Sequence, residues 1–221
     1  MYKITARVRG GIGNQLFIYA AARRLSFRNN CDLILDIDTG FYRDFVFKRK
    51  SQLHHFNINY SNFAKKQPLT FLSRLIRFFH RFINSKLPLS KRSYISQSGI
   101  DYDSRFKHLK VSRNLYLEGY WQSEKYFKDI EYLIRNDLTL TPPNDKKNME
   151  LIESIRKTTS ISLHVRFFYD NLQDTMNNYY SKAIKKINLL YPKSHFFIFC
   201  DKPDKVASFI NLPSERFTLV D

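Results

Sequence analysis

Two stretches of the chain share one order of elements: strand, turn, helix, strand. Ile4, Ala6 and Val8 alternate with Thr5 and Arg7, the period of two expected of a strand with distinct faces. Gly10, Gly11 and Gly13 interrupt that pattern and mark a turn. From Asn14 to about Phe27 the period becomes helical, with Phe17, Ala20, Ala21, Arg24 and Leu25 at spacings of three and four. Asp32 to Asp36 (DLILD) then reads as a short buried strand. Residues 160 to 201 repeat the design: ISLHVR predicts a strand, about Asn177 to Leu190 a helix ending before Pro192, and HFFIFCD the next strand. Two βαβ units so far apart predict an α/β protein of two Rossmann-like domains facing across a cleft. The Thr141-Pro142-Pro143-Asn144 stretch reads as the linker, giving domains at 1–141 and 145–221.

The first domain carries a basic helical insert at about 64–113. That segment holds 12 Lys or Arg, with Asp101 and Asp103 as its acids. Within it, TFLSRLIRFFHRFINSK places Leu72, Leu75, Ile76, Phe79, Phe82 and Ile83 on one helical face and Arg74, Arg77 and Arg81 on another. Such a helix suits either the surface of an anionic membrane or the flank of a domain, with its apolar face on the core and its basic face in water.

The glycine loop RGGIGNQLF lacks the third glycine of a dinucleotide fingerprint, because Leu16 stands there, and it lacks the Gly-Lys-Ser/Thr of a P-loop. What remains is a glycine turn at a helix N-terminus, serving as a tight bend or attracting anions and polar sugar groups. Asn14 and Gln15 would add side-chain donors. In the second unit, alternation places Ser162, His164 and Arg166 on one strand face and Ile161, Leu163 and Val165 on the other. A His-x-Arg at the C-terminal end of a buried parallel strand departs from an all-apolar pattern, and that end is where open α/β sheets bind ligands. A structural ion pair is the plainer account of the arginine. A guanidinium forked onto a diphosphate is the functional one. The triplets Asp36-Ile37-Asp38 and Asp101-Tyr102-Asp103 are weak metal candidates, and we expect no metal site.

Composition narrows this further. Aromatics are abundant, with 20 Phe and 14 Tyr, as befits a folded chain with a large core. The 37 Lys and Arg against 20 Asp and Glu give a net charge of +17, which calls for an anionic partner without choosing it. A nucleic-acid-binding protein is one reading of that surplus, but no RNA- or DNA-binding motif accompanies it. Cys31 and Cys200 read as buried thiols of a reducing compartment. Charges interrupt the N-terminus within three residues, unlike a signal peptide. A cytoplasmic protein, peripheral at the inner membrane face, is the resulting expectation.

Taken together, these segments resemble glycosyltransferase family 11, the α-1,2-fucosyltransferases. GGIGNQLFIYAAARRLS is similar to the family's N-terminal signature, LILDIDTGFY with LHHFNI to its next segment, and GYWQSEKYF at 119–127 to a further hallmark. SLHVR matches the start of a His-x-Arg-Arg-x-Asp motif, and NNYYSKAIKKI with FFIFCDKP matches the helix and strand that follow.

The resemblance implies a GT-B-like fold, GDP-fucose as donor, and inverting transfer, without a metal or cofactor, to a galactose hydroxyl of a glycan. Bacterial surface polysaccharide or O-antigen synthesis is the implied setting, with a lipid-linked acceptor among the options. On this resemblance Arg166 binds the donor diphosphate and His164 shapes the same pocket. Gly11, Gly13, Asn14 and Gln15 line the cleft. No general base is evident from the resemblance; Asp170 and Glu118 are candidates on carboxylate chemistry alone. The chain departs from the pattern at Phe167, where the family has its second arginine, and at Asp170, which arrives one residue late. The family continues past a segment like FTLVD, so the second domain is expected to be truncated. An inactive relic that binds only anions or membrane is the alternative reading.

Overall fold

The computed structural model describes residues 1–58, 70–167, 173–206 and 210–220. They form two compact units, Met1–Thr141 and Pro142–Asp221. In the first, β1 (Lys3–Arg7), α1 (Ile12–Asn29) and β2 (Asp32–Asp36) make a βαβ unit. The helix α2 (Phe71–Ser85) and the strands β3 (Tyr94–Ser96) and β4 (Leu115–Glu118) follow, then α3 (Glu131–Asp137). The sheet order is β2-β1-β4-β3, and every pair is parallel. The basic segment therefore contributes an edge strand, β3, as well as a helix.

The alternation read from β1 is realised as burial. Ile4, Ala6 and Val8 are fully buried, together with Leu33, Leu35, Leu115 and Leu117 from the neighbouring strands. The alanines of α1 let its backbone lie close on this sheet, with Ile18, Tyr19 and Leu25 filling the core. Arg24 is buried on the same helix because it is fully engaged. Its guanidinium donates to both carboxylate oxygens of Asp129 at 2.9–3.2 Å and to the Lys107 carbonyl at 2.8 Å. Asn30 closes α1 in the left-handed region, with its amide bonded back to Phe27 and Ser26.

In the second unit α4 (Lys146–Lys157) precedes β5 (Ser160–Val165), α5 (Gln173–Leu190), β6 (His195–Cys200), α6 (Pro203–Val206) and β7 (Phe217–Val220). The three strands form a parallel sheet in the order β5-β6-β7. Leu163, Val165, Tyr180, Ile184, Phe196 and Ile198 make its core. The sequence pattern marks two of these strands. FTLV is the third, too short for its alternation to be distinctive.

The amphipathic helix departs from the core-flank expectation. Its arginines Arg74, Arg77 and Arg81 turn toward a cavity at the end of the sheet. Leu72, Leu75, Ile76, Phe79, Phe82 and Ile83 are left exposed. The apolar face does not pack on the core, and the basic face is not simply solvated.

Candidate functional site

In the second unit, alternation carries past the end of β5. Ser162, His164 and Arg166 are exposed, while Leu163, Val165 and Phe167 are buried. Arg166 donates from Nε to His164 Nε2 at 3.3 Å, so in this arrangement that imidazole nitrogen is the acceptor. The Tyr180 hydroxyl of α5 donates to the His164 carbonyl at 2.8 Å and fixes the strand end. The Phe167 amide donates to Asp201 at 3.0 Å, tying the same end to the turn after β6. Phe167 packs with Leu163 and Val165 in the core. Its position therefore faces away from His164 and Arg166, and a cation there would not join them. Asp170 lies outside the described residues.

In the first unit, Gly10 adopts φ +79°, and a Cβ there would meet Asn14 Nδ2 at 2.7 Å. That glycine is set by the bend itself. A Cβ at Gly11 or Gly13 would meet nothing within 4 Å, so the protein's own packing does not require glycine at either. Gly11 caps α1 without a side-chain bond. Asn14 Oδ1 accepts from Gln122 at 2.5 Å, joining the glycine loop to the 119–127 segment. Gln15 has a different place from the one its sequence suggests. It is 1% exposed, its amide donates to the Gly10 and Lys50 carbonyls, and its oxygen accepts from the Gln52 amide. With these bonds it fastens the loop from behind.

Beside this loop, at the C-terminal ends of β1 and β4, lies a cavity of about 690 Å³. Glu118 is at its base with its side chain 5% exposed. Arg7 reaches its carboxylate at 2.5 Å, Arg81 at 3.4 Å and Arg9 at 3.9 Å, and the Tyr94 hydroxyl donates to it. Burial pushes the Glu118 pKa up, but the Tyr94 bond and the Arg7 and Arg81 charges outweigh it and hold the carboxyl below its ordinary value. A carboxylate so stabilised is a weak proton acceptor, which counts against Glu118 as a base. Burial and then the bond to Glu118 push the Tyr94 pKa up.

The Asp36 triplet is also committed to structure. Asp36 accepts from the Thr39 amide at 2.9 Å, from the Thr39 hydroxyl at 2.5 Å and from the Tyr116 hydroxyl at 2.6 Å. Asp103 pairs with Arg105 at 2.7 Å. Among the described residues, no cluster of three or more His, Cys, Asp or Glu could hold a metal.

The convergence of arginines on this cavity was missed from the sequence. Arg7 and Arg9 come from β1 and its turn, Arg43 and Arg49 from the segment after β2, and Arg74, Arg77 and Arg81 from α2, so that only three of the seven share an element. The 119–127 segment acts mainly as scaffold. Gln97 Oε1 accepts from the Tyr120 and Trp121 amides, and Trp121, at φ +54°, packs on Phe106 and Tyr126.

No family model matches the chain. It is 28% identical over 208 residues to an α-1,2-colitosyltransferase of Escherichia coli, a match covering 90% of this chain and 68% of the relative. In fold it is similar to the fucosyltransferase NodZ from Bradyrhizobium, at a TM-score of 0.52 and 15% identity, over 100% of this chain and 78% of that one. A structure of the NodZ α-1,6-fucosyltransferase soaked with GDP-fucose gives 0.53 at 16% identity, over 100% and 77% of the two chains. Two parallel α/β sheets with these likenesses give the chain a GT-B-like fold, similar to that of the glycosyltransferases it matches. The colitosyltransferase match, over 90% of the chain, is in keeping with the resemblance to family 11.

Proposed function

We propose that the chain transfers fucose from GDP-fucose to a galactose hydroxyl of a glycan, forming an α-1,2 linkage with inversion and without a metal. The observation that carries this reading is the exposed His164–Arg166 pair at the C-terminal end of β5. Parallel sheets present ligands there, in a fold like that of a transferase soaked with GDP-fucose. Inversion needs one displacement: the acceptor oxygen attacks the anomeric carbon as the bond to the diphosphate breaks. Charge grows on the departing GDP, and Arg166 meets it with charge-assisted bonds that strengthen along the way. His164 holds the guanidinium by Nε and so sets its orientation. Arg166 is the residue we assign to the reaction; His164 positions it.

The acceptor proposed is a bacterial surface or O-antigen glycan. Among the described residues, no helix is long and apolar enough to cross a membrane. The exposed apolar face of α2 supports peripheral contact at the inner membrane face instead. The relative's activity supports a second donor, a GDP-linked colitose, which is fucose without its 3-hydroxyl.

Calorimetric titration of GDP-fucose and GDP, without added metal, tests the assignment. Loss of a charge-assisted guanidinium–phosphate interaction in Arg166→Ala is expected to weaken binding ~10- to 100-fold. Equal affinity in the variant would remove Arg166 from the donor site. Transfer of fucose and of colitose to the same galactoside then separates the two donors.

A further inference from the structure

We propose that the arginine-lined cavity of the first unit binds the phosphate or diphosphate head of an amphiphilic acceptor, whose apolar tail follows the exposed face of α2. The identity of this ligand as an acceptor rests on the function proposed above; the binding itself does not.

The first support is charge. Arg7, Arg9, Arg43, Arg49, Arg74, Arg77 and Arg81 all line the cavity, and among the described residues the acids lining it are Asp44 and Glu118. Both acids are already paired, Glu118 as described and Asp44 with Arg49 at 3.4 Å. A surplus of five cations therefore converges on one concavity. Arg9 adds a sharper sign. Its guanidinium lies 4.4 Å from the Tyr120 ring centre, and its Nε is buried without a hydrogen-bond partner. Buried polar atoms are rarely left so, and a planar fork of donors matches phosphate oxygens. The cavity also sits where parallel strands end, at Arg7 of β1 and Glu118 of β4.

The second support is independent of charge. Leu75 and Phe78 of α2 line the same cavity, at 41% and 60% exposure. They continue into the exposed Phe79, Phe82 and Ile83. One helix thus presents arginines inward and an uncovered apolar strip outward, with both meeting at the cavity rim. A free phosphate would use the arginines alone, and an apolar partner would use the strip alone. An anionic head joined to a hydrocarbon tail uses both.

Titration calorimetry with decyl diphosphate, inorganic pyrophosphate and neutral decyl glucoside, all below micelle-forming concentrations, tests this. Each is titrated in saturating GDP, so that the donor site does not contribute. Decyl diphosphate is expected to bind ~10-fold or more tightly than either control, since its head and tail contribute together. Arg43→Ala/Arg74→Ala replaces two exposed side chains, and circular dichroism checks that it folds. This variant is expected to lose ~10-fold or more in affinity for decyl diphosphate.

Equal binding of pyrophosphate, equal binding of the glucoside, or decyl diphosphate binding that appears only when GDP is left out would each overturn the proposal. So would retention on phosphatidylglycerol vesicles that decyl diphosphate fails to displace, which would make bilayer phosphate the ligand. Failure of GDP to bind at all would count against the donor assignment and leave this test intact.

Discussion

Glu118→Gln isolates the charge at the base of the cavity. The substitution keeps the shape of the side chain and one oxygen to accept from Tyr94 and Arg7, but removes the negative charge. Breaking a buried ion pair by removing one partner costs ~3–5 kcal/mol. Here Arg9 and Arg81 have side chains 31% and 50% exposed and can regain water, whereas Arg7, at 17%, cannot do so fully. A loss of about 2–3 kcal/mol at neutral pH is therefore expected. For a unit of this size it corresponds to roughly 5–10 °C in melting temperature.

Urea denaturation followed by Trp121 fluorescence reads the first unit directly. Trp121 is the chain's single tryptophan, buried against Phe106 and Tyr126. The gap between wild type and variant should also depend on pH. The Glu118 pKa is lowered in the folded state from its ordinary 4.5. Its stabilisation is therefore complete above that value and is lost as pH falls through the lower, folded-state value. The gap should be constant from pH 7 to about 5 and narrow below that. A variant as stable as wild type at pH 7 would refute the ion pair, and a gap that does not narrow in acid would refute its electrostatic origin.

The glycines near the site should divide into two kinds. A Cβ at Gly40 would lie 1.9 Å from the Val8 carbonyl oxygen, so Gly40→Ala should lower stability by ~2 kcal/mol or more, read as a fall in the urea midpoint. Gly13 is in α1 with open space around it, so Gly13→Ala should raise stability by ~0.5–1 kcal/mol. Lowered transferase activity in the more stable variant would mean that a ligand approaches the bare backbone. Phe167→Arg places the family's second arginine on the core side just past β5. It should destabilise the second unit by about 3 kcal/mol, seen as faster amide exchange in β5 and β6, without tightening GDP binding. A gain in GDP affinity would contradict the strand alternation.

The period of two was enough to find β1 and β5, and to place His164 and Arg166 on one face with Leu163 and Val165 on the other. Local alternation sets the side-chain direction in a strand whatever the strand later pairs with. The amphipathic helix was equally visible, but the environment of each face was not. A hydrophobic stripe says that two sides differ. Which side turns inward depended here on the carboxylate of Glu118 and the hydroxyl of Thr39, which take up Arg81 and Arg77. Gln15 was misplaced for a related reason. A glutamine can be buried where three backbone groups come to meet it, and those of Gly10, Lys50 and Gln52 come from different turns.

The net charge of +17 acquires a location through the same comparison. Read along the chain, the surplus looked like a property of one segment, 64–113, and suggested a surface that an anionic membrane or polymer would cover. Folded, Arg74, Arg77 and Arg81 of that segment join Arg7, Arg9, Arg43 and Arg49, which lie outside it, around one concavity. A stripe of cations on a convex surface neutralises many weakly spaced charges and selects little. Cations converging on one cavity repel each other until a compact, highly charged group enters, and their planar forks then reward phosphate geometry. Leu75 and Phe78 on the same wall make that group more favourable when a hydrocarbon is attached to it. Substituting the exposed lysines of α5, Lys185 and Lys186, should therefore leave decyl diphosphate binding unchanged, although it removes as much charge as Arg43→Ala/Arg74→Ala. Equal losses in the two variants would mean that total charge, and not convergence, attracts the anion.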